Sequence, residues 1–407
     1  PGELGRVECV QLFLLRAREA RSGFQLTEAN AAAVAEICRR LDGIPLALEL
    51  AAARVATLPV EEIARRLQDR FQLLSGGPER APRQRTLHAL IDWSYDLLSK
   101  PERKLYRRLS IFRGGWSLEA AETVGSGNGV RPWEVLDLLA RLCRKSLVEV
   151  DAAGSAGTDS ARYSMLETVR EHAAQALLAA GEFADARRRH QAACLRLVDE
   201  AGRHLFGPRR EIWLRRLGAD HDNLRLALRS CTSSETRAAL RLATGLSPFW
   251  MARGHWTEGR RSLESVLSRS AGRRQPRLRS LAFHWAANLA ECQGDLEAAV
   301  ELNERALALR RRIGDAGEVA RSLNNLGNVY QRLGELERAR ALHEEGLAVQ
   351  RPLGNLVDVA HALNNLGAIA GRQGRIDEAR AFFEESLALK RQIGDRSAVA
   401  RTLNNLG

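Results

Sequence analysis

The chain of 407 residues is 45% hydrophobic, 28% charged and 5% aromatic, a mixture that suits about two to four domains of packed amphipathic helices rather than a disordered chain. No stretch approaches about 20 uncharged apolar residues, so a membrane-spanning helix is excluded and no membrane partner is expected. The net charge of +12 is concentrated in residues 181–278, which carry 20 arginines against 10 acids.

From Gln11 to Leu74 the sequence predicts four short amphipathic helices, the second capped by Thr27. Within RRLDGIPLALELAAARV, Arg39 to Val55, Gly43 ends one helix and Pro45 sits in the first turn of the next, where its missing N–H costs nothing. This stretch resembles the GxPLAL motif of the NB-ARC or STAND class of signalling ATPases. There the motif lies in a helical lid beside the nucleotide, so the resemblance implies that Gly43, Ile44 and Pro45 are nucleotide-proximal; a plain helix–helix turn is the alternative. No GxxxxGK[ST] occurs in the 407 residues to cradle phosphates and place a Lys and a Mg²⁺-binding hydroxyl. Hydrolysis of ATP by this chain is therefore not expected.

The next stretch predicts helices at Leu87–Leu98, Pro101–Ile111 and Trp133–Lys145, with Ser99 and Glu102 spaced as a capping box. SLVEVD and RYSML read as two strands flanking the polar turn AAGSAGTDSA, and a helix comes after them from Glu167. The order resembles the winged-helix domain that succeeds the lid in the same class. Arg141, Arg144 and Lys145 stand near the end of the third helix, where winged helices often meet DNA. The segment's small charge excess argues against DNA contact, which needs several phosphate contacts. Relatives place a Met-His-Asp triplet where this chain has Met165, Leu166 and Glu167, and Leu166 cannot touch a phosphate as that His does.

Residues 181–238 read as helical hairpins joining the wing to the carboxy-terminal segment. WLRRLGADHDNLRLAL at 213–228 resembles a motif of STAND-type regulators with tetratricopeptide sensors; His221 and Asp222 are read as a cap or a structural hydrogen bond. The local basic excess is read as a solvated face, with nucleic acid, an acidic partner or the missing ATPase core as the partners it could attract.

LNNLG recurs at 323–327, 363–367 and 403–407, a period of 40 residues that Gly294, Gly334 and Gly374 also keep. Leu323, Leu326 and Tyr330 make one apolar helical stripe; Leu336, Ala339, Leu342 and Leu347 make a second after Gly334. Each unit is thus a helical hairpin that must stack on its neighbours to bury its apolar face. The pattern from Leu323 to Ala339 resembles the tetratricopeptide repeat, which implies a protein or peptide ligand lying along the first helices of successive units. Arg321, Asn324, Asn328 and Gln331 share one face of such a helix, opposite the apolar stripe, and His361, Asn364, Arg401 and Asn404 repeat the placement. Amides and guanidinium groups there can hold a peptide backbone or a carboxylate; equally, the asparagines can tie adjacent repeats together. On the first reading, replacing Asn324 and Asn364 with Ala weakens binding without loss of helix.

The expected fold is mainly α: a helical lid remnant at 1–75, a winged helix with a small β-hairpin at 85–180, a helical linker at 181–238 and an α-solenoid at 239–407. Its units fall at 239–270 (degenerate), 279–313, 319–353, 359–393 and 399–407 (truncated). Six cysteines without CxxC or metal-ligand spacing predict no metal site and a reducing cytoplasm. The start PGELGRVE shows neither Met nor a leader, and the scarcity of lysine suggests a GC-rich bacterial genome. The expected function is that of a non-enzymatic regulatory fragment of a STAND-type transcriptional regulator. Its partners are a protein or peptide in the repeat groove and the missing ATPase core, with no nucleic acid through this fragment. ATP or ADP is expected in the full-length protein only. A scaffold without nucleotide, or the regulatory part of a nucleotide cyclase, is the alternative.

Overall fold

The computed structural model describes residues 6–41, 43–73, 82–151, 161–272 and 275–406. It divides into two compact units, Pro1–Leu197 with Glu211–Arg229, and Val198–Arg210 with Ser230–Gly407.

The first unit begins with α1 (Glu8–Ala20), α2 (Glu28–Arg40), α3 (Pro45–Ala52) and α4 (Val60–Leu73). Thr27 caps α2 as expected: its N–H donates to Asn30 Oδ1 at 2.8 Å and its hydroxyl accepts from the Asn30 N–H at 3.4 Å. The turn into α3 needs Gly43, whose φ is +65°, a conformation that carries no penalty without a Cβ. Next come α5 (Pro82–Asp96), α6 (Lys100–Leu109), β1 (Trp116–Ser117), α7 (Leu118–Gly125), α8 (Val135–Arg144), β2 (Glu149–Asp151), β3 (Arg162–Ser164) and α9 (Glu167–Ala179). The strands form one antiparallel sheet in the order β1-β3-β2. β1 and α7 are additions to the expected helix, helix, helix, hairpin, helix order. A two-residue strand exists only by its pairing with Arg162 and Tyr163 and leaves no periodic trace. Of the expected wing turn, residues 152–160 lie outside the described residues. One apolar core runs through this unit, from Phe13 and Ile37 through Leu50 and Leu90 to Leu105, Trp116 and Leu139.

Three further helices are α10 (Phe183–Gly202), α11 (Arg210–Ala219) and α12 (His221–Arg229). The WLRRLGADHDNLRLAL segment is bound to the winged helix. Arg162 of β3 donates to both carboxylate oxygens of Asp220, each at 3.2 Å, and to the Ala219 carbonyl at 3.0 Å. Asn223, 2% exposed, accepts from the Arg113 N–H at 2.7 Å and donates to the Gly115 carbonyl at 2.7 Å. The side chain of Asn223 thereby satisfies backbone groups at the entry to β1 that burial would otherwise leave unpaired.

In the second unit the helices pair as hairpins: α13 (Thr236–Arg253) with α14 (Trp256–Arg269), α15 (Pro276–Cys292) with α16 (Leu296–Ile313), α17 (Ala316–Leu333) with α18 (Leu336–Leu353), and α19 (Leu356–Arg372) with α20 (Ile376–Ile393). α21 (Arg396–Leu406) is the last helix. Gly254, Gly294, Gly334 and Gly374 turn each hairpin at φ between +74° and +84°. The LNNLG glycines serve a different end: a Cβ on Gly327 would meet the His343 ring at 2.7 Å, and one on Gly367 the Phe383 ring at 2.8 Å. They let a ring from the second helix lie on the backbone of the first.

One buried position changes from hairpin to hairpin. Arg310 pairs with Glu318 at 2.7 Å and donates to the Ser322 hydroxyl at 2.6 Å. Forty residues on, Gln350 donates to Asp358 at 3.1 Å. Forty further, Lys390 donates to the Thr402 hydroxyl at 2.6 Å, and where Glu318 and Asp358 stood there is Ala398.

Candidate functional site

α17, α19 and α21 present the same helical face at successive steps of the array, because a 40-residue repeat returns each side chain to an equivalent place. The face opens on a groove of about 600 Å³. Of the residues expected there, Arg321, Asn324, Asn328, His361, Asn364, Arg401 and Asn404 line it together; Gln331 does not, and its carbonyl instead accepts from Arg372 at 3.1 Å. Asn325, Asn365, Asn405, Asp358 and Lys390 also line it. The second asparagine of LNNLG was legible as a repeated residue, but its access to the groove depends on the tilt between neighbouring helices.

The asparagines serve the array as well as the groove. Asn325 donates to His284 of the preceding unit at 3.2 Å, and Asn365 donates to Asn328 at 3.0 Å. Asn324 accepts from His343 Nδ1 at 3.0 Å, while Asn364 Oδ1 lies 3.3 Å from the Thr402 hydroxyl, 3.5 Å from Lys390 Nζ and 3.4 Å from Asn405 Nδ2. Replacing Asn324 or Asn364 with Ala therefore removes structural bonds too, in line with the reading that the asparagines tie the helices together. His361 and Asn404 are exposed and are better placed to report binding.

Cations predominate in the groove. Burial, with Arg401 nearby, holds the Lys390 ammonium below its usual range. Partial desolvation by the groove wall, with Lys390, lowers His361 too, although its surface remains exposed. Arg321 is neutralised by Glu318, and Asp358 accepts from Gln350 and from Asn355 at 2.7 Å. The arrangement offers amide donors and acceptors in series, with positive charge beside them, which suits an extended backbone carrying carboxylates.

The Gly43, Ile44 and Pro45 turn lies in the other unit. Ile44 packs against the core, and the Pro45 ring is exposed. Further along, burial pushes the Arg54 guanidinium down to about 10, against the opposing pull of Glu102. On the winged helix, Arg141 and Arg144 are exposed, whereas Lys145 is held by Glu102 at 2.8 Å. Leu166 precedes α9, and Glu167 pairs with Arg113 at 3.1 Å. Among the described residues no group of His, Cys, Asp and Glu could hold a metal ion, and no helix is long and apolar enough to cross a membrane.

Comparison with known proteins agrees with this architecture. The tetratricopeptide repeat family model matches residues 278–351 and 358–407, and the winged helix-turn-helix domain model matches residues 98–178. The chain is 40% identical over 332 residues to a protein of Mycobacterium tuberculosis strain H37Rv named "Putative HTH-type transcriptional regulator", covering 79% of this chain and 37% of that protein. An uncharacterized protein of the same strain is 44% identical over 178 residues, which is 43% of this chain and 44% of that protein. The chain thus spans less than half the length of these relatives. Among solved structures, a Signal Transduction ATPase with Numerous Domains protein with a tetratricopeptide repeat sensor, from Pyrococcus horikoshii, matches 98% of this chain and 62% of its own at 13% identity and a TM-score of 0.44. This chain carries a winged helix-turn-helix domain and an array of tetratricopeptide repeats.

Proposed function

We propose that this chain is the regulatory part of a STAND-type signalling ATPase that acts as a transcriptional regulator. In this reading the repeats bind a protein or peptide inducer, and the lid and winged helix couple the nucleotide state to output. The observation that carries the binding half is the groove across α17, α19 and α21, where His361 and Asn404 stand exposed among amide groups. The regulatory half is supported by the GxPLAL stretch and by the 40% identity to a protein named as a transcriptional regulator.

The residues present fit a nucleotide at one contact only. The Gly43–Pro45 turn offers an exposed proline ring to the face of a base, but nothing described offers the successive N–H groups and the Lys of a phosphate cradle. ATP or ADP is therefore assigned to the full-length protein, where it would supply the charged group whose state sets the switch; this chain is read as non-catalytic. Regulation then requires the inducer to bind the active state more tightly than the resting one.

Selection of a phage-displayed random peptide library on the purified chain tests the binding half. A selected peptide should lose about tenfold or more in affinity, by fluorescence anisotropy, when His361→Ala and Asn404→Ala are combined, with unchanged circular dichroism. Failure to select any peptide, or equal affinity in the double variant, would remove the groove from the reading.

A further inference from the structure

The arginine excess of residues 181–278 plays no part in the peptide groove, and one portion of it gathers elsewhere in the array. Many arginines of the array are neutralised where they stand: Arg260 by Glu264 and Asp295, Arg305 by Glu301, Arg310 by Glu318, Arg340 by Glu344 and Glu378. Arg237, Arg277, Arg279 and Arg312 are different. Among the described residues none of these four side chains makes an ion pair or a hydrogen bond; the Arg279 guanidinium lies over the Phe283 ring at 6.0 Å, its Nε buried without a hydrogen-bond partner. Yet all four line a single groove of about 1230 Å³ between the start of α13, the start of α15 and the end of α16.

Arg241, paired with Asp199, also lines this groove, and no acidic side chain does. The remaining wall is Gly272, Gln275 and the aliphatic Pro276, Leu278, Leu309 and Ile313. The first turn of α15 adds to the positive field, since Gln275 gives it no side-chain cap and its leading N–H groups lack intrahelical acceptors. Like charges drawn together beside an apolar wall repel one another, less so where they face solvent and salt. An anion relieves that repulsion, and a ligand with an apolar body also covers the wall. A nucleic acid strand fits less well, because non-specific strand binding uses aromatic stacking platforms and no aromatic side chain lines the groove.

We propose that this groove is a second binding site of the array, separate from the peptide groove, for a small amphipathic anion: a phosphate or carboxylate carried on a short aliphatic body. Its volume is somewhat above that of a usual small-ligand cleft, about 300–1,000 Å³, which leaves room for the aliphatic body beside the charged group.

Isothermal titration of the whole chain with octyl phosphate and with octanoate, below their micelle concentrations, tests the proposal. Inorganic phosphate and octanol serve as the charge-only and apolar-only controls. One molecule should bind per chain, on the order of tenfold tighter than either control, and the preferred head group distinguishes phosphate from carboxylate. The exposed pair Arg277→Ala and Arg312→Ala should weaken binding by about tenfold or more. Arg380→Ala with Arg391→Ala, outside the groove, should not, and neither should the peptide-groove pair His361→Ala with Asn404→Ala. Absence of binding, affinity no better than that of inorganic phosphate, or full affinity in the Arg277 and Arg312 variant overturns the proposal. Tighter binding of a single-stranded oligonucleotide, lost in that same variant, would replace it with a nucleic-acid surface.

Discussion

His343 donates from Nδ1 to Asn324, and its Nε2 lies against Gly327 with no acceptor. Protonating that nitrogen would bury an unpaired charge, so burial pushes the imidazole down to about 4. In the unfolded chain the same group titrates near 6.5. The unfolded state thus binds the proton first, and stability is present above pH 6.5 and falls as the pH drops from about 6.5 to 4. Urea unfolding should show His343 contributing up to about 3 kcal/mol of that loss. His343→Phe, matching Phe383 over Gly367, should remove this share of the pH dependence; an unchanged slope would show that His343 is protonated freely. Asn223→Ala should cost roughly 2–4 kcal/mol by unpairing the Arg113 N–H and the Gly115 carbonyl, read as faster hydrogen exchange at Arg113. Reading the sequence took His221 and Asp222 as a cap or a structural hydrogen bond. The bonds that tie this segment to the winged helix come from their neighbours Asp220 and Asn223, and they depend on strands too short to predict.

At the scale of the element, the hairpins of the array were legible because one amphipathic stripe recurs every 40 residues, and the caps at Thr27 and Ser99 because capping is a local code. α7 and β1 were not, since eight residues and two residues carry too little periodicity and their pairing is tertiary. The groove was legible as a face. Which amide bonds inward and which outward was not, because that depends on the adjoining helix. Glycine substitutions separate the two kinds of position. Gly367→Ala would drive a Cβ into the Phe383 ring at 2.8 Å and should cost about 1–3 kcal/mol. Gly371→Ala, whose nearest neighbour would be Ala379 Cβ at 3.9 Å, should stabilise α19 by about 0.4–1 kcal/mol. Thermal melts of the two variants should shift in opposite directions.

Over the whole molecule, a stacked array has stability that is nearly a sum over units and their interfaces. Excising residues 335–374 joins Gly334 to Arg375, which has the place of Glu335 in the next hairpin. That variant should keep its helix content per residue, whereas excising 355–374 leaves a second helix without its first. Circular dichroism and a urea titration decide it; equal loss of structure in both would mean that the array does not fold by units.

The changing buried contact at Arg310, Gln350 and Lys390 gives this modularity a limit. Near-identical tandem units invite one hairpin to dock in its neighbour's place during folding, or in the same place on another chain, a hazard of repeat proteins in general. Here a hairpin shifted by one place would set Arg310 opposite Asp358 with no hydroxyl at Ala362, or Gln350 opposite Ala398 with no carboxylate to accept from its amide. Each mismatch removes a hydrogen-bond partner from a buried polar group. The variation works like the differing wards of a set of locks cut from one blank, making every junction recognise its own successor and discouraging slipped assembly at little expense to the common scaffold.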